Sequence, residues 1–424
     1  MDTIFALSSG APPAGIGVVR ISGLRAGDAL KELFGRLPVP RKAAFGPLVS
    51  PDGTVLDETL VLWFPGPGTV TGEDLAELHL HGGRAVIAAV QKALGDIKGL
   101  RAAEPGEFTR RGFANGRIDL SEAEGLADLL SAETEIQRQS AITMAGGEFS
   151  QKVSHWRDRI LLFSAQVEAV LDFDDEDDVS SLPESFYNDL ASLRSEMEEW
   201  LTLPHAETLR EGFRVALAGP PNAGKSTLFN ALIESDAAII AAIAGTTRDV
   251  LLRSVAFSGI PFTFVDMAGL RIDASDEIET IGINRAREEI TRADLVLWLG
   301  AEGEGPDGAW EIDAQCDRQD RIGKESAHMR LSAVTGEGMA ELKQALIAEA
   351  GKVMPKPGQS VLNNRQRQLL RQAVEALNLA DENRDPLLLG ESCRLARLAF
   401  DRLIGRTSTE DVLDTLFGRF CIGK

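Results

Sequence analysis

The amino-acid sequence predicts a multidomain chain: an α+β N-terminal domain, an all-α domain formed by two chain segments, and an α/β domain inserted between those segments. Strand and helix patterns alternate from about residue 213 to 350, whereas apolar residues recur at helical spacing on both sides of that stretch. Each helical segment alone lacks a partner for its apolar face. We therefore expect the two segments to pack together as one domain.

Charge and length suggest where the domains begin and end. At ~150 residues per domain, 424 residues suffice for about three domains. The net charge of −21 is uneven: residues 1–118 carry +1, residues 119–209 carry −16, residues 210–355 carry −8 and residues 356–424 carry +2. These shifts predict an N-terminal domain over 1–118, a helical domain over 119–209 with 356–424, and an inserted domain over 210–355.

The composition excludes several classes of protein. A strongly negative chain repels phosphates, which argues against a free-standing, non-specific nucleic-acid binder. Cys316, Cys393 and Cys421 are too few for a disulfide framework and lack zinc spacing. The acidic run 172–178 lacks the glycine spacing of a calcium loop, so we interpret it as solvated. No apolar run reaches the ~18 residues of a membrane span and no secretory signal opens the chain, so we expect a cytoplasmic protein.

The first domain mixes strand and helix patterns, and the flanking segments contain only helix patterns. Short apolar runs at 16–21 and 59–64 predict strands. Alternation over 75–80 predicts a third strand, followed by a helix over 85–94. Apolar residues at helical spacing recur through 119–209 and again through 361–424.

A phosphate-binding loop opens the inserted domain. After the strand pattern 213–218, residues 219–226 read Gly-Pro-Pro-Asn-Ala-Gly-Lys-Ser, which matches G-x-x-x-x-G-K-[ST] ahead of a helix. The glycines allow backbone N–H groups to surround phosphates, Lys225 supplies charge to the β and γ phosphates, and Ser226 ligates Mg²⁺. The nucleotide contacts expected here are Asn222, Ala223, Gly224, Lys225, Ser226 and Thr227.

Further segments follow in the order of a Ras-like GTPase. Asp266 ends a strand pattern, and 266–269 resembles a DxxG switch whose Gly269 N–H would sense the γ phosphate. Residues 245–249 read Gly-Thr-Thr-Arg-Asp, with Thr246 and Thr247 where a GTPase carries its first switch threonine. The last segment, which resembles the final guanine-contacting loop, consists of Ser332, Ala333 and Val334. These segments predict a Ras-like P-loop GTPase domain.

The guanine motif departs from the usual Asn-Lys-x-Asp pattern. The nearest match is Ala314-Gln315-Cys316-Asp317, in which Asp317 retains the carboxylate that accepts guanine N–H groups. The missing polar contacts would cost roughly 1–2 kcal/mol of binding free energy. We therefore expect a modest affinity for GTP and weakened guanine specificity.

Other motifs extend over the whole chain. They are Arg20-Ile21-Ser22-Gly23, Thr71-Gly72-Glu73-Asp74 with Glu77 and His81-Gly82-Gly83, Pro105-Gly106-Glu107-Phe108-Thr109-Arg110-Arg111, Asp119-Leu120-Ser121-Glu122-Ala123-Glu124, and the terminal Phe420-Cys421-Ile422-Gly423-Lys424. With the phosphate loop and 245–249, these motifs resemble the tRNA-modification GTPase family MnmE (TrmE) from end to end. A chain that finishes in Cys-Ile-Gly-Lys is typical of that family.

The resemblance implies an N-terminal domain that dimerises and binds a 5-formyl- or methylene-tetrahydrofolate, a central helical domain and an inserted GTPase domain. It implies a partnership with the flavoprotein MnmG (GidA) that adds a carboxymethylaminomethyl-type group to the wobble uridine of certain tRNAs, with the folate as carbon donor. By motif position, it implies folate contacts at Arg20, Glu77, Arg117 and Lys424 and a modification cysteine at Cys421. The residues alone leave open a simple Arg20–Glu77 pair and a buried structural Cys421.

For hydrolysis, the resemblance implies a K⁺ ion in place of an arginine finger, where it offsets charge between the β and γ phosphates. Glu279 would position the attacking water, and Lys225 and Asn222 complete the catalytic set. The implied ligands are Ser226 and Thr247 for Mg²⁺, and Asn222, Ala241, Ile243 and Thr246 for K⁺. The alternatives are that Asn222 only shapes the loop and that Glu279 is one exposed acid among several.

Two other functions stay open at this point. A ribosome-assembly GTPase would need an RNA-binding module such as a KH domain, and no such module is found in the sequence. A scaffold timed by GTP would use no folate. Because of the net charge, we expect tRNA to be bound mainly by the partner, although Arg101, Arg110, Arg111 and Arg117 lie close together in the sequence. The acidic segment 119–209 is interpreted either as a docking surface for the partner or as a solvated face.

Overall fold

The computed structural model describes residues 2–172, 182–234, 251–267, 288–318, 323–407 and 409–424. These residues form two compact units. The first comprises Met1–Ala127, Ala145–Asp172 and Gly390–Lys424, and the second comprises Asp128–Met144 and Phe173–Leu389. The predicted fold class is confirmed: an α+β N-terminal part, helical segments on both sides, and a Ras-like α/β fold are all present.

The first unit contains a six-stranded sheet in the order β3-β4-β5-β2-β1-β6. Every pair is antiparallel except β1 with β6. Three helices accompany it. The bounds are β1 Thr3–Leu7, β2 Ile16–Ser22, α1 Ala26–Phe34, β3 Ala44–Val49, β4 Val55–Phe64, β5 Leu75–His81, α2 Arg84–Asp96, β6 Leu100–Ala102 and α3 Glu107–Ala114.

The two faces of this sheet have different roles. Val19, Ile21 and Leu78 are fully buried in the core shared with helices α1 and α2. Side chains alternate across a strand, so Arg20, between Val19 and Ile21, lies on the opposite face. On that face Phe108 of α3 forms a small cluster with residues of β1. The sheet therefore separates a closed apolar core from a face that carries charged residues.

The helical segments precede and follow the α/β fold. Ser121 Oγ of α4 donates to the Leu403 carbonyl across the two segments at 3.0 Å, and the rings of Trp156 and Phe400 lie 6.2 Å apart. The predicted packing of the two segments is therefore confirmed. Their helices are α4 Leu120–Ser131, α5 Glu135–Ala145, α6 Glu148–Asp172, α7 Glu184–Leu201, α8 Ala206–Glu211, α11 Asn364–Asn383, α12 Pro386–Leu403 and α13 Glu410–Phe417.

The second unit contains a sheet in the order β12-β11-β10-β7-β9-β8, which is parallel apart from β8. Val215, Leu217 and Phe264 are fully buried in its core. The carboxyl ends of parallel strands meet at one edge, which is where α/β folds bind ligands. The bounds are β7 Phe213–Ala218, α9 Lys225–Glu234, β8 Leu251–Phe257, β9 Ile260–Asp266, β10 Leu295–Trp298, β11 Trp310–Ala314, β12 Met329–Leu331 and α10 Met339–Ala350.

The chain enters and leaves this α/β fold through two adjacent segments. His205 forms a parallel bridge with Leu362, and the Ala206 N–H donates to the Leu362 carbonyl at 3.1 Å. Helix α5 holds both segments: Gln137 Nε2 donates to the Leu209 carbonyl at 2.9 Å and Ser140 Oγ to the Gln359 carbonyl at 2.7 Å. The entry and exit are thus fixed to each other and to α5.

Candidate functional site

The phosphate loop lies between β7 and α9 at the carboxyl edge of the second sheet. Its backbone has positive φ at Gly219 (144°), Asn222 (63°) and Gly224 (97°). A Cβ on Gly219 would lie 2.9 Å from the Gly300 nitrogen, so only glycine fits there. These turns produce the wrapped backbone that the motif predicts.

The Lys225 ammonium lies inside this loop. Its side chain is buried, and Nζ donates to the carbonyls of Gly219 and Pro220 at 2.7 Å each. Burial lowers the pKa of Lys225, while the nearby Asp266 opposes that effect. A buried ammonium needs polar partners, and here the carbonyls of the loop itself supply them. Phosphate oxygens are stronger partners for the same group.

Ser226, a predicted Mg²⁺ ligand, forms a corner with Asp266 beside the phosphate loop. Ser226 Oγ donates to Asp266 Oδ2 at 2.9 Å, and Asp266 is almost fully buried at the end of β9. Hydroxyl and carboxylate oxygens suit Mg²⁺, which keeps several other oxygen ligands from water or phosphate. Among the residues that the structure describes, no group of three or more His, Cys, Asp or Glu side chains could hold a metal ion.

A cavity of about 190 Å³ adjoins the phosphate loop, and it brings together the residues predicted to contact guanine. Asp317 Oδ1 accepts a hydrogen bond from Ser332 Oγ at 2.6 Å. The same hydroxyl, which is fully buried, accepts from the Val334 and Thr335 N–H groups at 3.3 and 3.2 Å. The cavity is lined by Gly224, Thr227, Leu228, Ala314, Gln315, Asp317, Arg318, Leu331, Ser332, Ala333 and Val334.

Sequence reasoning assigned no role to Gln315, although it lines this cavity. Its Nε2 donates to the Asn222 carbonyl at 3.2 Å, so it joins the base cavity to the phosphate loop. The only sequence signal for it was its place in the motif, where other GTPases carry lysine.

Several of the sequence-based predictions fall on residues outside the described part of the chain. They include most of the acidic run 172–178 and the whole of 245–249. The site residues concerned are Ala241, Ile243, Thr246, Thr247, Gly269 and Glu279. Their roles stay predictions.

The predicted folate residues Arg20 and Glu77 face each other across β2 and β5. Arg20 Nη2 and Nε donate to Glu77 Oε1 at 2.9 and 3.2 Å, with side chains 24% and 17% exposed. The guanidinium lies 5.9 Å from the centre of the Phe108 ring. His79 Nε2 lies 3.4 Å from the other Glu77 oxygen. The Arg20–Glu77 pair, which the sequence left open, is therefore present, and the Phe108 ring and the His79 imidazole lie beside it.

The C-terminal tail lies against the sheet. Ile422 bridges to Pro105, and a Cβ on Gly423 would lie 2.2 Å from the Leu7 carbonyl oxygen. Lys424 follows and is exposed, as is Arg117. Within the described part of the chain, no side-chain hydrogen bond links Arg117 or Lys424 to the Arg20–Glu77 pair. Of the four predicted residues, Arg20 and Glu77 are in direct contact with each other.

The cysteines differ in exposure. Cys421 is exposed, so the interpretation of it as a buried structural thiol is wrong. Cys393 is buried, and burial raises its pKa to about 11. Cys316 is half-buried, and burial together with Glu337 raises its pKa. Exposure therefore favours Cys421 as the reactive thiol.

Three of the four N-terminal arginines that lie close in the sequence are paired with carboxylates. Sequence reasoning missed most of the partners because they are distant along the chain or belong to other elements; Glu107, four residues before Arg111 on α3, is the exception. The pairs are Arg101 with Asp2 and Glu107, Arg110 with Glu410 and Asp414, and Arg111 with Asp2, Glu73 and Glu107. These pairs remove much of the positive charge that a phosphate backbone would contact.

Comparisons with known proteins decide the family. The model of the MnmE helical domain matches residues 120–421, and the model of the GTP-binding protein TrmE N-terminus matches residues 3–117. The chain belongs to the MnmE (TrmE) family. The tRNA modification GTPase MnmE of Novosphingobium aromaticivorans is 60% identical over 435 residues, and that of Erythrobacter litoralis is 59% identical over 424 residues, each covering 100% of both chains.

Among solved structures, the G domain of the T. maritima FeoB iron transporter is 26% identical and covers 32% of this chain and 98% of that chain, with a TM-score of 0.24. Within the described part of the chain, no helix is both long enough and apolar enough to cross a membrane.

Proposed function

We propose that this chain is a GTP hydrolase that acts in tRNA modification. Membership of the MnmE family, at 60% identity over the full length of a tRNA modification GTPase, carries the proposal. The geometry supports it, because a buried Lys225 and a Ser226–Asp266 corner lie at the phosphate loop, and the cavity that contains Asp317 adjoins the same loop. The proposed domains are 1–118 for folate binding and dimerisation, 119–209 with 356–424 for the helical part, and 210–355 for GTP.

In the proposed site, each group has one task. Lys225 would exchange its loop carbonyls for β and γ phosphate oxygens, which favours its charged form. Asp317 would accept guanine N–H groups while Ser332 holds its carboxylate. Ser226 and Thr247 would hold Mg²⁺, with Asp266 behind Ser226, and the ion would supply charge neutralisation at the phosphates. Gly269 would contact the γ phosphate, and Glu279 would orient the attacking water.

The proposal includes a K⁺ ion held by Asn222, Ala241, Ile243 and Thr246. Asn222 is exposed at the turn of the phosphate loop, which supports this assignment, because its side chain is available to a ligand. Hydrolysis in KCl is expected to exceed hydrolysis in NaCl at equal ionic strength, and equal rates would remove K⁺ from the proposal. Glu279→Ala is expected to retain GDP binding and to lose orders of magnitude in turnover. Unchanged turnover would remove Glu279.

The proposed folate site consists of Arg20, Glu77, Arg117 and Lys424. The chemistry of the first two fits a pterin, because a carboxylate accepts its N–H groups and a guanidinium donates to its carbonyl. Since Arg20 and Glu77 now bond to each other, ligand binding would have to exchange part of that pair. Titration of the full chain with 5-formyl-tetrahydrofolate tests the site. Glu77→Gln should weaken binding, whereas Arg110→Ala, whose partners are Glu410 and Asp414, should not.

At the level of the cell, we propose a cytoplasmic homodimer that works with the flavoprotein MnmG on the wobble uridine of certain tRNAs, with Cys421 needed for modification rather than hydrolysis. The test is nucleoside analysis of tRNA from cells that lack this chain, with and without the wild-type gene. Loss of a carboxymethylaminomethyl-type group, restored by the gene, is the expected result. Unchanged wobble uridines would favour a ribosome-assembly GTPase or a GTP-timed scaffold.

A further inference from the structure

The contact between Gln315 and Asn222 joins two unusual backbone positions. Gln315 follows β11 with φ of 61°, and Asn222 in the phosphate loop has φ of 63°. Such left-handed conformations are disfavoured for residues other than glycine, and they persist where the surroundings hold them. Here the Gln315 amide donates to the Asn222 carbonyl at 3.2 Å. Each strained position is therefore tied to the other.

The Gln315 side-chain amide lies where the base cavity meets the phosphate loop. A Cβ on Gly224 would lie 3.1 Å from Gln315 Nε2, so the phosphate loop and the amide are closely packed. Gln315, Gly224 and Asp317 all line the 190 Å³ cavity. The carboxylate of Asp317 is held from the other side by Ser332. The cavity thus contains Asp317, whose carboxylate can accept N–H groups of a base, and Gln315, whose amide binds the phosphate loop.

We infer that Gln315, at the motif position where other GTPases carry lysine, is a positioning residue: its N–H donor fixes the phosphate loop from the side of the base cavity. The inference rests on the proposed function, since it assumes a guanine nucleotide in this cavity. Gln315 donates to the loop and not to the base. Its removal therefore weakens guanosine and inosine nucleotides alike, whereas Asp317 distinguishes them, because inosine lacks the 2-amino group.

Binding of GDP and IDP to the full chain, measured by calorimetry with Mg²⁺, tests this inference. Gln315→Met keeps the length of the side chain and removes the donor, and both dissociation constants should rise about 3- to 10-fold, the effect of one neutral hydrogen bond. Gln315→Lys restores a donor and should return both constants to within about 3-fold of wild type. Gln151→Met, an exposed glutamine of α6, is the matched control and should change neither.

The outcomes separate the inference from the proposed function. If Gln315→Met binds both nucleotides as wild type does, or weakens GDP far more than IDP, Gln315 is not a positioning residue. If Gln315→Lys fails to restore binding while its melting temperature matches wild type, the donor is not what matters, and the inference is also wrong. If the wild-type chain binds neither nucleotide, the proposed function fails. Asp317→Asn, which should weaken GDP more than IDP, shows independently that the base is read in this cavity.

Discussion

Replacing Ser332 with alanine tests how the candidate base site is held. The Ser332 hydroxyl is fully buried and donates to Asp317 Oδ1 at 2.6 Å. A hydrogen bond to a charged group contributes about 1.5–3 kcal/mol. Asp317 is exposed, so water replaces part of the lost bond, and the lower end of that range applies. The Val334 and Thr335 N–H groups that donate to this hydroxyl belong to exposed residues and also regain water.

We therefore expect Ser332→Ala to weaken GDP binding by about 1.5 kcal/mol, or roughly tenfold. The assay is calorimetric titration of GDP into the nucleotide-free chain at one Mg²⁺ concentration. Ser326→Ala is the matched control, because the Ser326 hydroxyl bonds to Glu302 and does not line the cavity. A Ser332→Ala dissociation constant within twofold of wild type would show that Asp317 needs no support. An equal loss in Ser326→Ala would attribute the effect to the fold of the domain.

Three further predictions concern titration and thiol chemistry. Burial raises the pKa of Asp119 above 3.8, so its contribution to stability falls as pH rises through that pKa. Asp119 Oδ1 accepts from the Glu122 N–H at 2.9 Å at the start of α4, and Asp119→Asn keeps a side chain that can cap the helix. The thermal stability of this variant relative to wild type should increase from pH 4 to 7; no change would refute this. Burial lowers the pKa of Lys225, so GDP affinity should fall more steeply with rising pH in wild type than in Lys225→Ala, as measured by titration from pH 7 to 9, below the range in which guanine N1 itself is mostly deprotonated. A thiol reagent should label Cys421 first and Cys393 only on unfolding, and Cys421→Ser should abolish the fast phase.

The features that sequence predicted best are those whose cause is local. The phosphate loop follows from glycines at the positive-φ positions 219 and 224 and from a lysine that opens a helix. Strands β2 and β4 follow from apolar runs bounded by turn residues, and β5 follows from an alternating pattern. By contrast, β3 contains Gly46 and Pro47, which weaken a strand pattern, and β6 has three residues. Both are strands because neighbours pair with them, which local sequence does not report.

The side-chain partners were beyond sequence reasoning for a related reason. Arg20 and Glu77 are 57 positions apart, and only the register of β2 against β5 makes them opposite neighbours. Arg110 meets Glu410 across 300 positions of chain. Gln315 reaches Asn222 because two loops at the carboxyl edge of one sheet meet there. In each case the chemistry depends on topology and not on spacing along the chain.

The paired arginines also change the argument from charge. Taken as free side chains, Arg101, Arg110 and Arg111 would form a basic surface on an otherwise acidic chain. In the structure each bonds to carboxylates, so contact with a phosphate would mean exchanging an ion pair already present. Such an exchange gains little, because one charged partner replaces another and the released carboxylate repels the phosphate. A partner that brings its own cations avoids this exchange, which is why we assign most of the proposed tRNA affinity to that partner and not to the N-terminal arginines.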